Sequence, residues 1–183
     1  DKRTCARAAG SGNLPLLQWL RGAGCPWDWW TCARAAGGGH LDVLAWARGA
    51  GCPWGPNTPA EAAAGGHLEV LRWAREHGCP WDARICASAA SAGHLRVLQW
   101  AREHGCDWGE DTCDGAAGRG HLDVLQWARH HGCPWGQREC TSRRACEGGH
   151  LHVLQWAVKH GCPWDAQSCQ RIARNYGHAV VAQ

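Results

Sequence analysis

A Cys-x-Trp motif recurs along this chain at an almost constant step, and that period constrains the fold more than any other feature. The step is 27 residues four times and 29 residues once, and a Gly-His-Leu motif keeps nearly the same period. Self-similarity of this length is typical of a solenoid, in which each repeat buries its apolar face only against its neighbours. We therefore predict one repeat domain over residues 1–183, with repeats at 1–27, 28–54, 55–81, 82–108, 109–135 and 136–164 and a partial repeat at 165–183.

Each repeat contains two short helical patterns. The stretch HLEVLRWAREHG at 67–78 places its apolar residues on one broad stripe, which predicts a helix that we call helix B. Glycines such as Gly78 follow its last residue, where a left-handed residue commonly ends a helix. The stretch ARICASAASAG at 83–93, capped by Asp82, predicts a shorter helix A. The expected fold class is all-α, a solenoid of stacked helical hairpins.

Composition argues against several classes of protein. A formal net charge of +3 is too small to favour nucleic acid as a partner, and no run of 18 apolar residues predicts a membrane span. No charged start followed by an apolar run predicts a signal peptide. The chain has 14 Trp, one Tyr and neither Phe nor Met, so its large apolar side chains are mainly Trp and Leu.

The residues of one repeat resemble a known family. GHLEVLRWAREHGCPW at 66–81 is similar, nearly position for position, to the second helix and following turn of ankyrin repeats, and TCARAAGGGH at 31–40 resembles their first helix. Ankyrin repeats have about 33 residues, and the residues missing here fall where those repeats carry a projecting β-hairpin finger. The chain looks like the short, fingerless Cys-Pro-Trp-Asp variety of protists and large DNA viruses.

This resemblance implies a function without catalysis. Proteins of the ankyrin type act as protein-interaction scaffolds or as structural subunits of larger assemblies, and we expect the same of this chain, with no cofactor. The resemblance also implies an intracellular, reducing compartment, with the cytoplasm favoured.

Thirteen Cys and twelve His raise an alternative, a metal- or redox-linked protein that uses the Cys and His lattice. Zinc needs four donors within about 2.0–2.3 Å of one point, whereas equivalent residues of stacked hairpins lie about 8–10 Å apart. We therefore expect no metal site. Cys is expected to fill small apolar slots, and His to cap helices and to bridge adjacent turns.

Cysteine pairs also recur at a spacing of seven, as in Cys25 with Cys32, which raises the possibility of disulfides. The odd total of cysteines and the expected compartment favour free thiols instead. A catalytic thiolate would need one singular Cys–His site, and the copies here resemble one another. Cys146 falls outside the pattern and is expected to be a surface thiol.

Trp recurs at two positions of the repeat, one in helix B and one in the turn. Each Trp can bury about 150–250 Å², so we expect both sets to pack in the core. The turn Trp is expected to seal the groove that a finger would otherwise cover. Stacking of a pigment or a nucleic acid on this Trp ladder is the alternative, and RNA binding by the repeats is a further one.

One stripe of helix A differs between repeats on an otherwise constant scaffold. Counted from the helix A Cys, positions +3 and +4 are Ala in the first five repeats, whereas −2, +2, +5 and +6 vary. In ankyrin-type proteins this stripe lines the concave, partner-binding face, and neutral drift of exposed positions is the alternative. The variable residues are Arg3, Arg7, Trp30, Arg34, Asn57, Glu61, Arg84, Ser88, Asp111, Gly115, Arg119, Arg138 and Ser142.

Two irregularities add candidate contact residues. Trp29 and Trp30 lie outside the repeated Trp positions, and an exposed Trp is a common interface anchor. The repeat at 136–164 has two extra residues, which are expected to lengthen its helix A and to form a basic bulge with Arg143 and Arg144. We predict that these positions contact a protein partner or neighbouring subunits of a complex.

Both ends of the chain carry apolar residues that terminal repeats normally replace by polar ones. The first repeat keeps Leu14, Leu17 and Trp19, and the last residues, GHAVVAQ, lie within a helix B pattern. We therefore expect the ends to be covered by further repeats or by other chains.

Overall fold

A computed structural model describes residues 1–137 and 140–178 of the chain. Within these residues there are thirteen α-helices and no β-strand. The helices are α1 (Lys2–Gly10), α2 (Leu14–Gly22), α3 (Trp29–Gly37), α4 (Leu41–Gly49), α5 (Asn57–Ala64), α6 (Leu68–Glu76), α7 (Arg84–Ser91), α8 (Leu95–Glu103), α9 (Glu110–Gly118), α10 (Leu122–His130), α11 (Cys140–Glu147), α12 (Leu151–Lys159) and α13 (Ala166–Asn175).

The odd-numbered helices are the predicted helices A, and the even-numbered helices are the predicted helices B. The chain divides into two compact blocks, an N-terminal block at 1–85 and a C-terminal block at 86–183, and the division falls inside α7. Each block is described by itself below. The expectation of a single domain over 1–183 stays a prediction.

Local sequence signals explain where the helices begin and end. The Asp28 carboxylate accepts a hydrogen bond from the Trp30 N–H at 3.0 Å at the start of α3, and Asp82 accepts one from the Arg84 N–H at 2.9 Å at the start of α7. After α4, Gly51 has φ 81°, which lets the Cys52 N–H reach the Ala47 carbonyl at 2.9 Å. This left-handed glycine and the bond behind it terminate helix B.

Small residues let the helices A of the N-terminal block pack closely. α3 lies between α1 and α5, and the Ala pairs at positions +3 and +4 are buried in all three helices. Each helix B adds one fully buried leucine behind them, namely Leu17, Leu44 and Leu71. The C-terminal block repeats the arrangement with α9, α11 and α13, and Leu98 and Leu125 are fully buried there.

The repeat at 136–164 corrects one prediction. Its helix A, α11, is described from Cys140 onward and directly follows residues outside the described part of the chain, so the expected lengthening of this helix stays a prediction. Within α11, Ser142, and not Cys140, occupies the slot that Cys fills in other repeats; it is fully buried and donates to the Pro163 carbonyl at 2.8 Å. Ser142 therefore does not belong to the variable surface.

Cys146 is a second correction. It takes the position of the second Ala of helix A and is fully buried, so it is not a surface thiol. Burial raises the pKa of its thiol above the usual range. None of the described helices is both long enough and apolar enough to span a membrane.

Candidate protein-binding surface

We define the helix A surface as the predicted contact residues that project from the helices A or from their first turns. In the N-terminal block Arg3, Arg7, Arg34 and Arg84 are exposed, Trp29 is 40% exposed, and Trp30, Asn57 and Glu61 are partly exposed. In the C-terminal block Asp111, Arg119, Arg143 and Arg144 are exposed. Arg138 lies outside the described residues.

The two adjacent tryptophans at the start of α3 contact each other. Trp29 and Trp30 meet edge to face with their ring centroids 5.4 Å apart. A Cβ added to Gly55 would lie 3.0 Å from the Trp29 ring, so this Trp packs partly against the turn before α5. The pair therefore offers an anchored aromatic edge rather than two freely rotating side chains.

The structure brings Arg84 together with Asn57 and Asp82. The Arg84 guanidinium donates to Asp82 at 2.6 Å and to the Asn57 side-chain oxygen at 2.9 Å. The hydrogen bonds from Arg84 lower the pKa of the Asp82 carboxyl below its usual value. Two predicted contact residues from successive repeats are thus held in one fixed arrangement.

Position +2 of one helix A is coupled to position +5 of the preceding helix A. Arg34 lies over Gly10, where an added Cβ would come within 3.2 Å of the Arg34 Nε, and Glu61 lies over Gly37 at the same distance. Arg144 lies over Gly118 in the same way, with its Cβ 3.3 Å from the added atom. In these three pairs the glycine at position +5 gives room for the long side chain at position +2 of the next helix A.

The predicted basic bulge on α11 is partly neutralised. Glu147 lies 3.9 Å from the Arg143 guanidinium and 3.4 Å from that of Arg144, and the Glu147 side chain is only 23% exposed. The two arginines thus share one acidic partner on their own helix. Their surface is charged, but it is less basic than the sequence suggests.

A groove runs along α9 between the Ala87–Ser91 segment and α11. Its volume is about 590 Å³, and Gly115 and Gly118 form much of its floor. Asp114 lines this groove although it is only 8% exposed, and it accepts a 2.5 Å hydrogen bond from the Thr141 hydroxyl. Sequence reasoning missed Asp114; the available signal was a charged residue where the four earlier repeats have Ala6, Ala33, Ala60 and Ala87.

The comparisons with known proteins concern the fold. No family model and no curated protein sequence matches the chain. Among solved structures, the human ASB11 ankyrin repeat domain matches with a TM-score of 0.67 and 14% sequence identity, over 98% of this chain and 97% of that one. The fold is an ankyrin repeat solenoid. At this level of identity the likeness establishes the fold alone.

On the opposite, helix B side of the ankyrin-like repeats, contacts within the protein join the last turn of the helix to the turn that follows it, whereas positions such as Arg96 and Asp123 are exposed. In five of the helices B an arginine near the end of the helix stacks on the turn Trp that follows it, with 4.2 Å from the Arg48 guanidinium carbon to the Trp54 ring centre. The same arginine donates to the Cys52 carbonyl at 2.6 Å. The stacked pairs are Arg21–Trp27, Arg48–Trp54, Arg75–Trp81, Arg102–Trp108 and Arg129–Trp135.

Sequence reasoning placed these arginines on the solvent side of helix B and missed their stacking. The signal was present, because Arg recurs there every 27 residues over five repeats. In the sixth repeat Val158 stands at this position, and the turn residue Trp164 is 44% exposed.

The turn tryptophans bridge successive repeats, as their volume predicts. Trp54 meets Trp73 edge to face at 6.0 Å, and Trp108 meets Trp127 at 5.6 Å. The expectation that both sets lie in the core is wrong for most of them: Trp100 is buried, Trp19 and Trp164 are 69% and 44% exposed, and the other repeated tryptophans are partly exposed. The ladder thus consists of internal packing contacts wherever two repeats meet within a block.

Cysteines and histidines serve the same internal packing. All thirteen thiols are free, and their contacts join residues 20 apart, such as Cys32 with Cys52, rather than residues seven apart. His67 Nε2 lies 3.1 Å from the Gly37 carbonyl of the preceding repeat, so His bridges repeats as predicted. It also occupies the N-cap position of α6 but makes no capping bond there. No group of three potential metal ligands converges among residues 1–137 and 140–178.

Proposed function

We propose that this chain is a non-catalytic scaffold that binds a protein partner, or neighbouring subunits of a complex, through the helix A surface. The observation that carries the proposal is the contrast between the two sides of the repeat. On the helix B side, arginines, tryptophans and histidines contact one another or the backbone. On the helix A side, charged and aromatic residues that differ between repeats are presented to solvent.

The metal- or redox-linked alternative has no observation in its favour. Burial raises the pKa of Cys5 to about 11 and that of Cys79 to about 12, which keeps these two thiols protonated near neutral pH, whereas hydrogen bonds with Cys5 and Cys113 lower the pKa of Cys25 and of Cys133. Metal ligation and redox exchange both require the thiolate. A nucleic-acid partner is not favoured either, since the formal net charge of the chain is only +3.

Two finer expectations belong to this proposal. One is that the chain works in a reducing, intracellular compartment, for which thirteen free cysteines are suitable. The other is the likeness to the fingerless repeats of protists and large DNA viruses. It is supported by direct passage from the turn Trp to the next helix A, for example from Trp54 to α5 at Asn57.

Selection from a displayed library tests the proposal and does not require the partner to be identified. The purified chain is immobilised, and binders are enriched from a library of small protein domains and peptides. Each binder is then measured against a helix A variant, Arg7→Ala with Asp111→Ala and Arg119→Ala. The matched control, Arg96→Ala with Asp123→Ala and Lys159→Ala, removes the same charges from exposed helix B positions.

We expect binders to lose at least about tenfold in affinity for the helix A variant, since polar contacts at an interface are worth about 1 kcal/mol or more each. The control should bind as the unchanged chain does. Binders that respond only to the control variant, or to neither variant, would place binding elsewhere and contradict the proposal.

A further inference from the structure

The groove along α9 exists because one repeat lacks the side chain that fills the equivalent place elsewhere. At position +2, Arg34 and Glu61 lie over the preceding helix A in the N-terminal block, and Arg144 does so in the C-terminal block. In α9 this position is Gly115, and Ser91 of the preceding helix leans over it instead. One turn further along, Gly118 has no side chain of its own, and Arg144 lies over it. The missing side chains leave about 590 Å³ of open volume, within the range of ligand-binding clefts.

Charges of opposite sign stand at the two ends of this groove. Asp111 lies in the first turn of α9, and Arg119 is the residue at its C-terminal cap. Both are exposed, and neither forms an ion pair with another described residue. Arg119 follows Asp111 by eight positions, which corresponds to about 12 Å at 1.5 Å per helical residue.

Charged residues inside the groove follow the same order, with an acidic residue near Asp111 and a basic residue near Arg119. Asp114 lies on the same helix, and its buried carboxylate uses one oxygen for the Thr141 hydroxyl. On the Arg119 side stands Arg144, whose guanidinium also contacts Glu147 at 3.4 Å. A ligand of one charge sign would meet repulsion at one end, whereas a ligand with both signs would be matched along its length.

We propose that this groove binds an extended peptide segment of a protein partner, with a basic residue at the Asp111 end and an acidic residue at the Arg119 end. An extended strand covers about 3.3 Å per residue, so the two charged residues would be about four positions apart. Small residues between them would occupy the open volume that Ser91 and Arg144 line. The inference rests on the proposed function, since it specifies the partner of part of the helix A surface.

Defined peptides test this inference directly. The probes are fluorescein-labelled octapeptides of Gly, Ser and Ala with Lys at position 2 and Glu at position 6, the same peptide with Lys and Glu exchanged, and versions lacking one or both charges. Fluorescence anisotropy with the full chain measures their affinities. Because a peptide can run in either direction, the expected result is that one of the two charge orders binds at least about fivefold more tightly than all other probes.

Charge reversal in the protein supplies the decisive control. In the variant Asp111→Lys with Arg119→Glu the preferred charge order should switch to the exchanged peptide. The matched variant Asp123→Lys with Arg96→Glu, on exposed helix B positions, should leave the preference unchanged. If neither charge order binds better than the neutral peptide, or if the preference fails to switch, the inference is wrong.

A second variant fills the groove with a contact that occurs elsewhere in the protein, a long side chain at position +2 over a glycine at position +5. Ser91→Gly with Gly115→Glu recreates the pairing of Gly37 with Glu61, so the fold should be retained, as a circular dichroism melt will show. Binding of the preferred peptide should fall to that of the neutral probe. Full binding by this folded variant would overturn the inference, and if the variant does not fold, the charge reversal decides alone.

The two proposals fail in different ways. If the peptides do not discriminate while library binders still lose affinity for the helix A variant, the groove inference falls and the scaffold function stands. If the binders ignore the helix A variant and the peptides do not discriminate, both proposals fall.

Discussion

At the scale of single residues, the tryptophans fall into two energetic classes. Trp100 is 9% exposed and stacks on His104 with ring centroids 4.3 Å apart, whereas Trp29 is 40% exposed at the start of α3. The two tryptophans therefore differ in how much they stabilise the fold, because only removal of a buried ring leaves a cavity.

We expect Trp100→Ala to lower the free energy of unfolding by about 3–5 kcal/mol. Trp29→Ala should lower it by less than about 1 kcal/mol. Urea denaturation followed by circular dichroism measures both. Equal losses would mean that Trp29 is a core residue, and it would then no longer be a candidate contact residue.

Arg48 is expected to stabilise the turn through its ring stacking and its bond to the Cys52 carbonyl. Arg48→Ala should cost about 1–2 kcal/mol of unfolding free energy. Arg48→Lys should recover only part of this, because an ammonium group cannot stack and donate in the same plane. Arg96→Ala, at an exposed position, is the control and should stay within about 0.5 kcal/mol.

The buried thiols make stability sensitive to alkaline pH. Burial raises the pKa of Cys79 from 9.0 to about 12, so the folded state keeps its proton where the unfolded state loses it. The stabilisation is complete below pH 9 and is lost as the pH rises toward 12. Urea denaturation at pH 8 and 10.5 should show a decline that Cys79→Ala reduces by about 1 kcal/mol. An unchanged decline in that variant would show that Cys79 does not contribute.

At the scale of helices, the sequence predicts most of the fold because its signals are local. Helix periodicity, Asp caps and left-handed glycines act within a few residues, so helices A and B can be assigned from the sequence alone. The failure at α11 has a physical reason. The repeated Cys pattern assigns Cys140 to the helix A slot, and only the burial of Thr141 and Ser142 shows that Ser142 fills it.

The candidate surface is predictable to a smaller extent. Variable offsets on a periodic scaffold indicate which positions face solvent, and the described members of the set are exposed or partly exposed. Burial of Asp114, pairing of Arg34 with Gly10 and stacking of arginine on the turn Trp depend on contacts between repeats or across the turn. No local pattern specifies them.

One substitution in the sixth repeat is expected to stabilise the turn after helix B. Val158 stands where five other repeats have an arginine on the turn Trp, and Trp164 is 44% exposed. Val158→Arg should therefore raise the free energy of unfolding by about 0.5–1 kcal/mol. Val158→Gln, which has similar length but no charge, serves as control. A loss of stability with Arg would show that the α12 turn cannot adopt the stacked arrangement.

At the scale of the whole molecule, repeats stabilise one another mainly through nearest neighbours. Leu125 is fully buried in α10, so Leu125→Ala should cost about 2–5 kcal/mol. Hydrogen exchange should accelerate most in the repeats beside α10 and least in residues 1–54. An equal acceleration throughout the chain would indicate a single all-or-none unfolding unit.

The coupling of position +2 to position +5 also sets rules for how such a chain can grow by duplication. A copy of the repeat at 28–54 can follow itself, because its Arg34 can lie over the Gly37 of the copy before it. The same copy placed after Ser91 would meet a side chain instead of a gap. Whether a repeat fits therefore depends on the contact between two neighbouring repeats and not on either repeat alone. Inserted or exchanged repeats should persist only where position +5 of one helix A and position +2 of the next fit each other.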